Sequence, residues 1–525
     1  MLSGRQMIAR LALAVVIVGL AWRIGRFALG FPLWGDEAFI VANLYSRDFA
    51  GMVSPLEYHQ IAPLGFMWAE LAVSRLLGMS EWALRTPAFL CGLFSLGLFW
   101  WFARRSLDQR SALLAVAIFA ASYYVVRHST EVKPYAGDLA VSLVLICLGW
   151  MVYRKSDSLG RWIAMILAGA AGVWLSYPAV FIGGAVAMLL SVLLWQRRSG
   201  KIFAGWLTYI LVFAASFLAM YLIYAKPHAA AAARMTESHS WIQSFPPVSK
   251  PWQLPLWLLK VHTGNLLAYP IGGRNGGSTL TLLLVIVGSV SLWRGRRREF
   301  LLLLLGPLAL MLAAAAMKKY PYGTSARVAQ HMAPAFCLLA GVGLSSVLRY
   351  FLGRDRLKTG LCIVTVVLAG LAGMGLIIDI AQPQKKSSDQ ANRQVLRTLA
   401  GWTSLEDQWV IFNATKDSPY APDIHQWGGS GARFWYYVRQ FGPANVRWAP
   451  AIAEIPRMRG GRTWLIVYRD NKAPFPEKQL DQYLRGLRHR LGEAKQYRFK
   501  LTSPKDPPRS EDEAIEVYEF PTSRG

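Results

Sequence analysis

Residues 360–380 read GLCIVTVVLAGLAGMGLIIDI, with one charged side chain in the whole run. A helix needs about 20 apolar residues to cross a hydrocarbon core roughly 30 Å thick, and this stretch supplies them. An amphipathic helix of a soluble protein would carry a polar face at helical spacing, and none is present. Runs of the same kind recur at 111–126, 203–225 and 300–317. With 54% hydrophobic residues over 525 positions, the chain reads as a polytopic α-helical membrane bundle.

Working outward from that run, eleven spans are expected, at about 7–28, 85–103, 111–127, 135–153, 161–176, 179–196, 203–225, 278–293, 299–317, 329–348 and 360–380. The formal net charge of +27 would suit a nucleic-acid partner, but its placement argues against one. Basic clusters sit between the apolar runs, at Arg104–Arg105–Arg110, Arg154–Lys155–Arg161, Arg197–Arg198–Lys201, Arg294–Arg296–Arg297–Arg298 and Arg349–Arg354–Arg356–Lys358. Short loops rich in Lys and Arg stay cytoplasmic. With an uncleaved first span and a cytoplasmic N-terminus, every one of these clusters falls on the cytoplasmic side and the C-terminus falls outside. No nucleic acid is expected. The four cysteines lie in apolar runs, without metal-ligand or redox spacing.

The opposite face then carries two long loops, 29–84 and 226–277. Within the first, residues 64–77 read as an interfacial helix, apolar on one side with Glu70, Ser74 and Arg75 on the other. After the bundle (1–380) and a polar linker (381–390), residues 391–525 turn polar and form an extracytoplasmic α/β domain. Strands are expected at 408–412, 463–468, 496–501 and 514–520, and helices at 395–402, 432–441 and 478–491. The aromatic segment Phe434-Trp435-Tyr436-Tyr437 suits either sugar stacking or a buried helix.

The sharpest chemical signal is Pro32-Leu33-Trp34-Gly35-Asp36-Glu37, directly after the first span. Ionisable residues at a membrane boundary are costly to bury and frequently functional. One such carboxylate can take a proton from an acceptor hydroxyl; spacing alone equally allows a solvated loop or a helix cap. On the same face stand Arg127 and Lys133, then Tyr320, Tyr322, Arg327 and His331, with His59 in the first loop. Basic residues there run against the inside-positive trend. They either hold an anionic headgroup through charge-assisted bonds or form an ordinary interfacial belt.

The ordered motifs PLWGDEAF, HQIAPLGFMW, STEVKPYAGDLA, LSYPAVF and KYPYGTSARVAQHMAP, spread over residues 10–345, resemble the GT-C superfamily of membrane glycosyltransferases. The resemblance is to the bacterial relatives of protein O-mannosyltransferases and of lipid A aminoarabinose transferases. It implies a sugar donor on a polyprenyl-phosphate carrier, inverting transfer at the outer face of the bacterial cytoplasmic membrane, and an acceptor that is a lipid, protein or polysaccharide. It implies Asp36 as general base with Glu37 in support, and Arg127, Lys133, Arg327 and His331 as ligands of the departing phosphate. His59, Tyr320 and Tyr322 take acceptor or supporting roles. No cofactor is certain and no metal motif is placed, so a divalent metal stays open. The alternative is a transporter or flippase of a lipid-linked or anionic substrate. Transporters tend to show inverted repeats and midplane charge, and neither pattern is legible.

Overall fold

The computed structural model describes residues 4–229, 241–273, 276–412, 424–448, 452–455, 460–469, 477–501 and 513–522. Two parts of the expected loop 226–277, namely 230–240 and 274–275, lie outside the described residues. In chain order the main helices are α1 (Gly4–Ala28), α2 (Gly35–Ser46), α3 (Leu64–Leu77), α4 (Glu81–Ser106), α5 (Gln109–Ala120), α6 (Tyr123–His128) and α7 (Tyr135–Arg154). There follow α8 (Leu159–Leu175), α9 (Ala179–Arg197), α10 (Gly200–Met220), α11 (Leu254–Thr263), α12 (Gly277–Arg294), α13 (Arg298–Ala316) and α14 (Ala333–Ala381). The polar tail adds α15 (Ser387–Trp402), α16 (Ile424–Phe441), α17 (Glu477–Leu491) and strands β1 (Gln408–Phe412), β2 (Val446–Trp448), β3 (Thr463–Arg469), β4 (Lys495–Lys500) and β5 (Ala514–Phe520).

The chain divides into two compact units. One comprises Met1–Leu29, Arg47–Gly78 and Trp82–Ala381; the other comprises Gly30–Ser46, Met79–Glu81 and Gln382–Gly525. Among the described residues of the first unit, nine helical stretches are long and apolar enough to cross a membrane. The last two, Gln330–Gly353 and Arg356–Ala381, merge in α14 across Gly353, whose φ of 61° breaks the helical path. The expected spans at 111–127 and 161–176 are the shorter apolar helices α5 and α8.

Helix α5 is the centre of this unit, buried at every residue from Ser111 to Ala120, as a helix apolar on all sides should be. Small residues let its neighbours approach. A Cβ on Gly341 of α14 would lie 2.5 Å from the Ala115 nitrogen, and one on Gly288 of α12 only 2.0 Å from the Leu339 carbonyl oxygen. Membrane helices gain their association from such close van der Waals packing rather than from water exclusion. The span expected at 111–127 stops early because the backbone turns at Ala121–Ser122. Ser122 Oγ donates back to the Ile118 carbonyl at 2.6 Å, and the Tyr123 N–H leaves the helix to donate to the Pro270 carbonyl at 3.1 Å. Residues 123–128 then form the separate helix α6.

Helix α3 falls where it was expected, with a mixed buried side: Glu70 and Ser74 are buried together with Leu64, Phe66, Met67 and Leu71, whereas Arg75, Leu76 and Leu77 are exposed.

The second unit is built on a five-stranded mixed sheet of order β2-β1-β3-β5-β4. β1 pairs parallel with β2 and β3, and β5 pairs antiparallel with β3 and β4. Trp409, Ile411, Trp464, Ile466, Val517 and Phe520 fill its core. The three-residue strand β2 was not expected; it is too short to show an alternation. Helix α15 starts at Ser387, inside the stretch read as a linker at 381–390. The Asp389 carboxylate caps it by accepting from the Lys386 N–H at 3.1 Å. Arg433 of α16 is buried in ion pairs with Asp389 and Glu513.

Candidate active site

The acidic motif belongs to the second unit. Gly35 opens α2, which places Asp36 and Glu37 in its first turn, where the helix dipole favours negative charge. Their environments differ. Glu37 is fully buried, and its Oε2 accepts the Trp34 N–H at 3.1 Å, the reach-back half of a capping box. Asp36 is half-buried. The Lys385 ammonium lies over the Trp34 indole, a cation–π contact that covers the residue just before the helix.

Helix α16 fixes this segment with the hydroxyls of two fully buried tyrosines. The Leu33 N–H donates to Tyr437 Oη at 2.9 Å, Tyr437 Oη donates to Glu81 Oε1 at 3.1 Å, and Tyr436 Oη donates to the Met79 carbonyl at 2.7 Å. Trp435 meets Tyr45 of α2 edge-on at 5.2 Å. Of the two readings of the 434–437 segment, the buried helix is the one found. Its aromatics hold the acidic motif in place.

The basic motif belongs to the first unit. After α6 the chain turns through residues 129–134 into α7, and Glu131 organises that turn. Arg127 Nε donates to Glu131 Oε1 at 2.7 Å, and His128 Nδ1 lies 2.8 Å from Glu131 Oε2. Burial works against the Arg127 charge, and the Glu131 carboxylate outweighs it, holding the guanidinium above its ordinary value. Burial pushes the His128 imidazole below its ordinary value; Glu131 opposes this, while the nearby charges of Arg127 and Arg327 add to it. Lys133 is buried, and its Nζ donates to Gln60 Oε1 at 3.1 Å.

A second buried network supports the turn from below. Arg26 of α1 pairs with Asp379 of α14, Trp22 Nε1 donates to the same carboxylate at 2.7 Å, and Arg26 Nε donates to Thr130 Oγ1 at 3.0 Å. Thr130 Oγ1 in turn donates to the Arg127 carbonyl at 3.0 Å. The loop carrying Gln60 is also pinned, because Tyr177 and Tyr224 both donate to the Ala62 carbonyl at 3.0 Å.

Of the other expected residues, Arg327 is half-buried, with its guanidinium 4.9 Å from the Trp241 ring centroid. His331 is fully buried between Phe181 and Tyr320, whose ring centroids lie 6.0 and 6.2 Å away. Tyr320 donates to the Val328 carbonyl at 2.8 Å. Tyr322 meets a different partner, His262 Nε2, at 3.2 Å. His59 is exposed with a φ of 52°, and it is its neighbour Gln60 that reaches Lys133. Gln60, His128 and Asp379 escaped the sequence reading. Gln60 stood inside a quoted motif and His128 next to Arg127, but Arg26 and Asp379 meet across 353 positions, and no local pattern marks such a pair. Among the described residues, no three His, Cys, Asp or Glu side chains gather as a metal site would require.

Residues 62–224 match the family model described as dolichyl-phosphate-mannose-protein mannosyltransferase. ArnT of Cupriavidus metallidurans in the apo state is similar over 98% of this chain and 98% of its own, with a TM-score of 0.54 at 14% identity. The same protein bound to undecaprenyl phosphate gives 0.50 at 12% identity over 97% of each chain. The Archaeoglobus fulgidus oligosaccharyltransferase in complex with Zn and sulfate gives 0.46 at 11% identity, over 84% of this chain and 62% of its own. No curated protein sequence matches. The ArnT likeness establishes the fold, and the family match lies inside that fold and includes the Arg127–Lys133 turn. The chain is thus similar in fold to ArnT along its length and matches the mannosyltransferase family model over residues 62–224.

Proposed function

We propose that this protein is an inverting glycosyltransferase that moves a sugar from a polyprenyl-phosphate carrier to an acceptor hydroxyl at the outer face of the cytoplasmic membrane. In this reading the N-terminus is cytoplasmic and the polar domain extracytoplasmic. The acceptor is a lipid, a protein or a polysaccharide. The observation that carries the proposal is the organised basic turn at 127–133, inside the segment that matches a lipid-phosphate-sugar transferase family.

The acceptor oxygen attacks the anomeric carbon, its proton passes to the Asp36 carboxylate, and the bond from that carbon to the phosphate oxygen breaks with its electron pair on the phosphate. Asp36 suits the base because it is half-buried, whereas the Glu37 carboxylate is engaged in capping α2. Arg127, Lys133, Arg327 and His331 receive the charge that develops on the phosphate, stabilisation that works best when the donors are already in place. His59, Tyr320 and Tyr322 support acceptor or donor. The bland belt reading of Arg127 and Lys133 loses support because both side chains are held by specific partners instead of extending to the interface. A transporter reading gains nothing from this fold.

The test is transfer by the purified protein from polyprenyl-phosphate sugars, comparing wild type with Asp36→Asn. General-base catalysis contributes about 10²–10⁴-fold, so the variant is expected to lose at least about a hundredfold in kcat while still binding donor. Equal rates in the two proteins would remove Asp36 from the chemistry. Absence of transfer from every donor tried would remove the reaction class.

A further inference from the structure

The basic turn holds a buried titratable group, His128, next to Arg127. The His128 Nδ1 faces Glu131 Oε2 at 2.8 Å. Its Nε2 is buried with no hydrogen-bond partner among the described residues. Leaving a buried polar nitrogen unsatisfied is costly, and such exceptions call for an explanation. The groups facing His128 are Glu131, Arg127 and, through space, Arg327, with the rings of Tyr124 and Tyr135 at 6.0 and 5.0 Å. The carboxylate fixes the tautomer, with Nδ1 carrying the proton. Nε2 then presents its lone pair, the arrangement by which carboxylate–histidine pairs hold and move protons.

We infer that His128, oriented by Glu131 beside Arg127 and Arg327, is a catalytic residue that binds the lipid donor's phosphate through Nε2 as the imidazolium. The inference rests on the transfer reaction proposed above and deepens it. In the empty protein, burial and two neighbouring cations favour the neutral ring. An arriving phosphodiester adds a negative charge; Nε2 takes up a proton from solvent and, as part of the imidazolium, donates a hydrogen bond to a phosphate oxygen. Glu131 remains ionised and balances the cation.

Transfer then breaks the bond between the anomeric carbon and the phosphate oxygen, and the leaving group becomes a phosphate monoester with one more negative charge. The Nε2 proton passes to that monoester, whose second pKa is near 6, and the ring returns to neutral. The acceptor's proton has meanwhile gone to Asp36, so both protons are accounted for. Glu131 acts through His128 and Arg127 and is a positioning residue.

The experiment measures binding of a polyprenyl methyl phosphodiester, a probe whose charge does not change across the neutral range, as a function of pH. Wild-type affinity is expected to fall by about tenfold per pH unit on the alkaline side, the slope for uptake of one proton. Binding heats in buffers of different ionisation enthalpy should report the same proton. His128→Asn places an amide nitrogen where Nδ1 sits and keeps the Glu131 bond, but it cannot protonate. Its affinity should be weaker at low pH and nearly flat with pH, while its unfolding midpoint stays close to wild type. Glu131→Gln serves as the second variant and should shift the titration to lower pH. The same pH slope in wild type and His128→Asn would overturn the inference and leave the transfer reaction standing. Absence of probe binding by wild type at any pH would overturn the donor assignment and the inference together.

Discussion

The acidic motif after α1 and the basic turn between α6 and α7 are anchored by different means. The acidic segment is held largely by hydroxyl and amide hydrogen bonds of Tyr436, Tyr437 and Leu33 and by edge-on aromatic packing, with Glu81 as the carboxylate acceptor of Tyr437. The basic turn is held by ions: Glu131 against Arg127 and His128, and Asp379 against Arg26. Ionic anchoring orients the cations that the proposed reaction assigns to the donor phosphate. An ion pair at such a site sets geometry more than stability, since desolvation offsets much of its attraction.

The contrast breaks most sharply at the carboxylates. Asp36→Asn should abolish turnover on the scale given above, whereas Glu37→Gln should cost under about 1 kcal/mol of stability, as loss of one capping interaction does, and less than tenfold in rate. Steady-state kinetics beside thermal unfolding of the same two proteins decides it, and comparable kcat losses would erase the division of roles. Next in size is Glu131→Gln, which removes the carboxylate that Arg127 and His128 share. A fully buried pair broken on one side costs about 3–5 kcal/mol. Because the Arg127 side chain keeps 19% exposure, about 1–3 kcal/mol is expected, read as a lower unfolding midpoint and weaker donor binding.

Tyr437→Phe probes the hydroxyl anchor. It removes the donor to Glu81 and the acceptor of the Leu33 amide, for about 1–3 kcal/mol. Faster proteolysis within Gly30–Ser46 should accompany the loss, with donor binding unchanged. The smallest expected effect is on acid stability. His228 Nδ1 donates to the Tyr224 carbonyl at 2.7 Å and its Nε2 accepts the Leu56 N–H at 3.2 Å, so the folded protein needs the neutral ring. Burial holds its pKa below the ordinary value near 6.5. The unfolded chain therefore binds more protons in that window. Stability is full above about pH 6.5 and falls as pH drops through the folded value. Unfolding midpoints from pH 8 to 5 should show that acid limb, and His228→Gln should shrink it; an unchanged limb would assign it to other groups.

Eleven apolar runs, the polar tail and four of its five strands were legible because membrane spans and buried strands announce themselves within a single window of residues. So was the acidic pair, since two adjacent carboxylates beside a span are a local signal. The mixed buried side of α3 was not, because a pattern of polar and apolar residues does not state which side packs inward. The break after Ala120 depended on an acceptor at Pro270, far along the chain.

By itself, then, the sequence determined a many-spanning bundle with an appended α/β domain and the residue types available for sugar transfer at its boundary loops. Only the tertiary structure decided that Glu37 caps a helix while Asp36 stays half-buried, that Tyr436 and Tyr437 serve the acidic segment, and that Glu131 commands both Arg127 and His128. Hydropathy acts through the solvent on each segment alone and is written locally. Hydrogen bonds and ion pairs need two partners at about 3 Å, and where those partners lie hundreds of residues apart, only the folded chain brings them together.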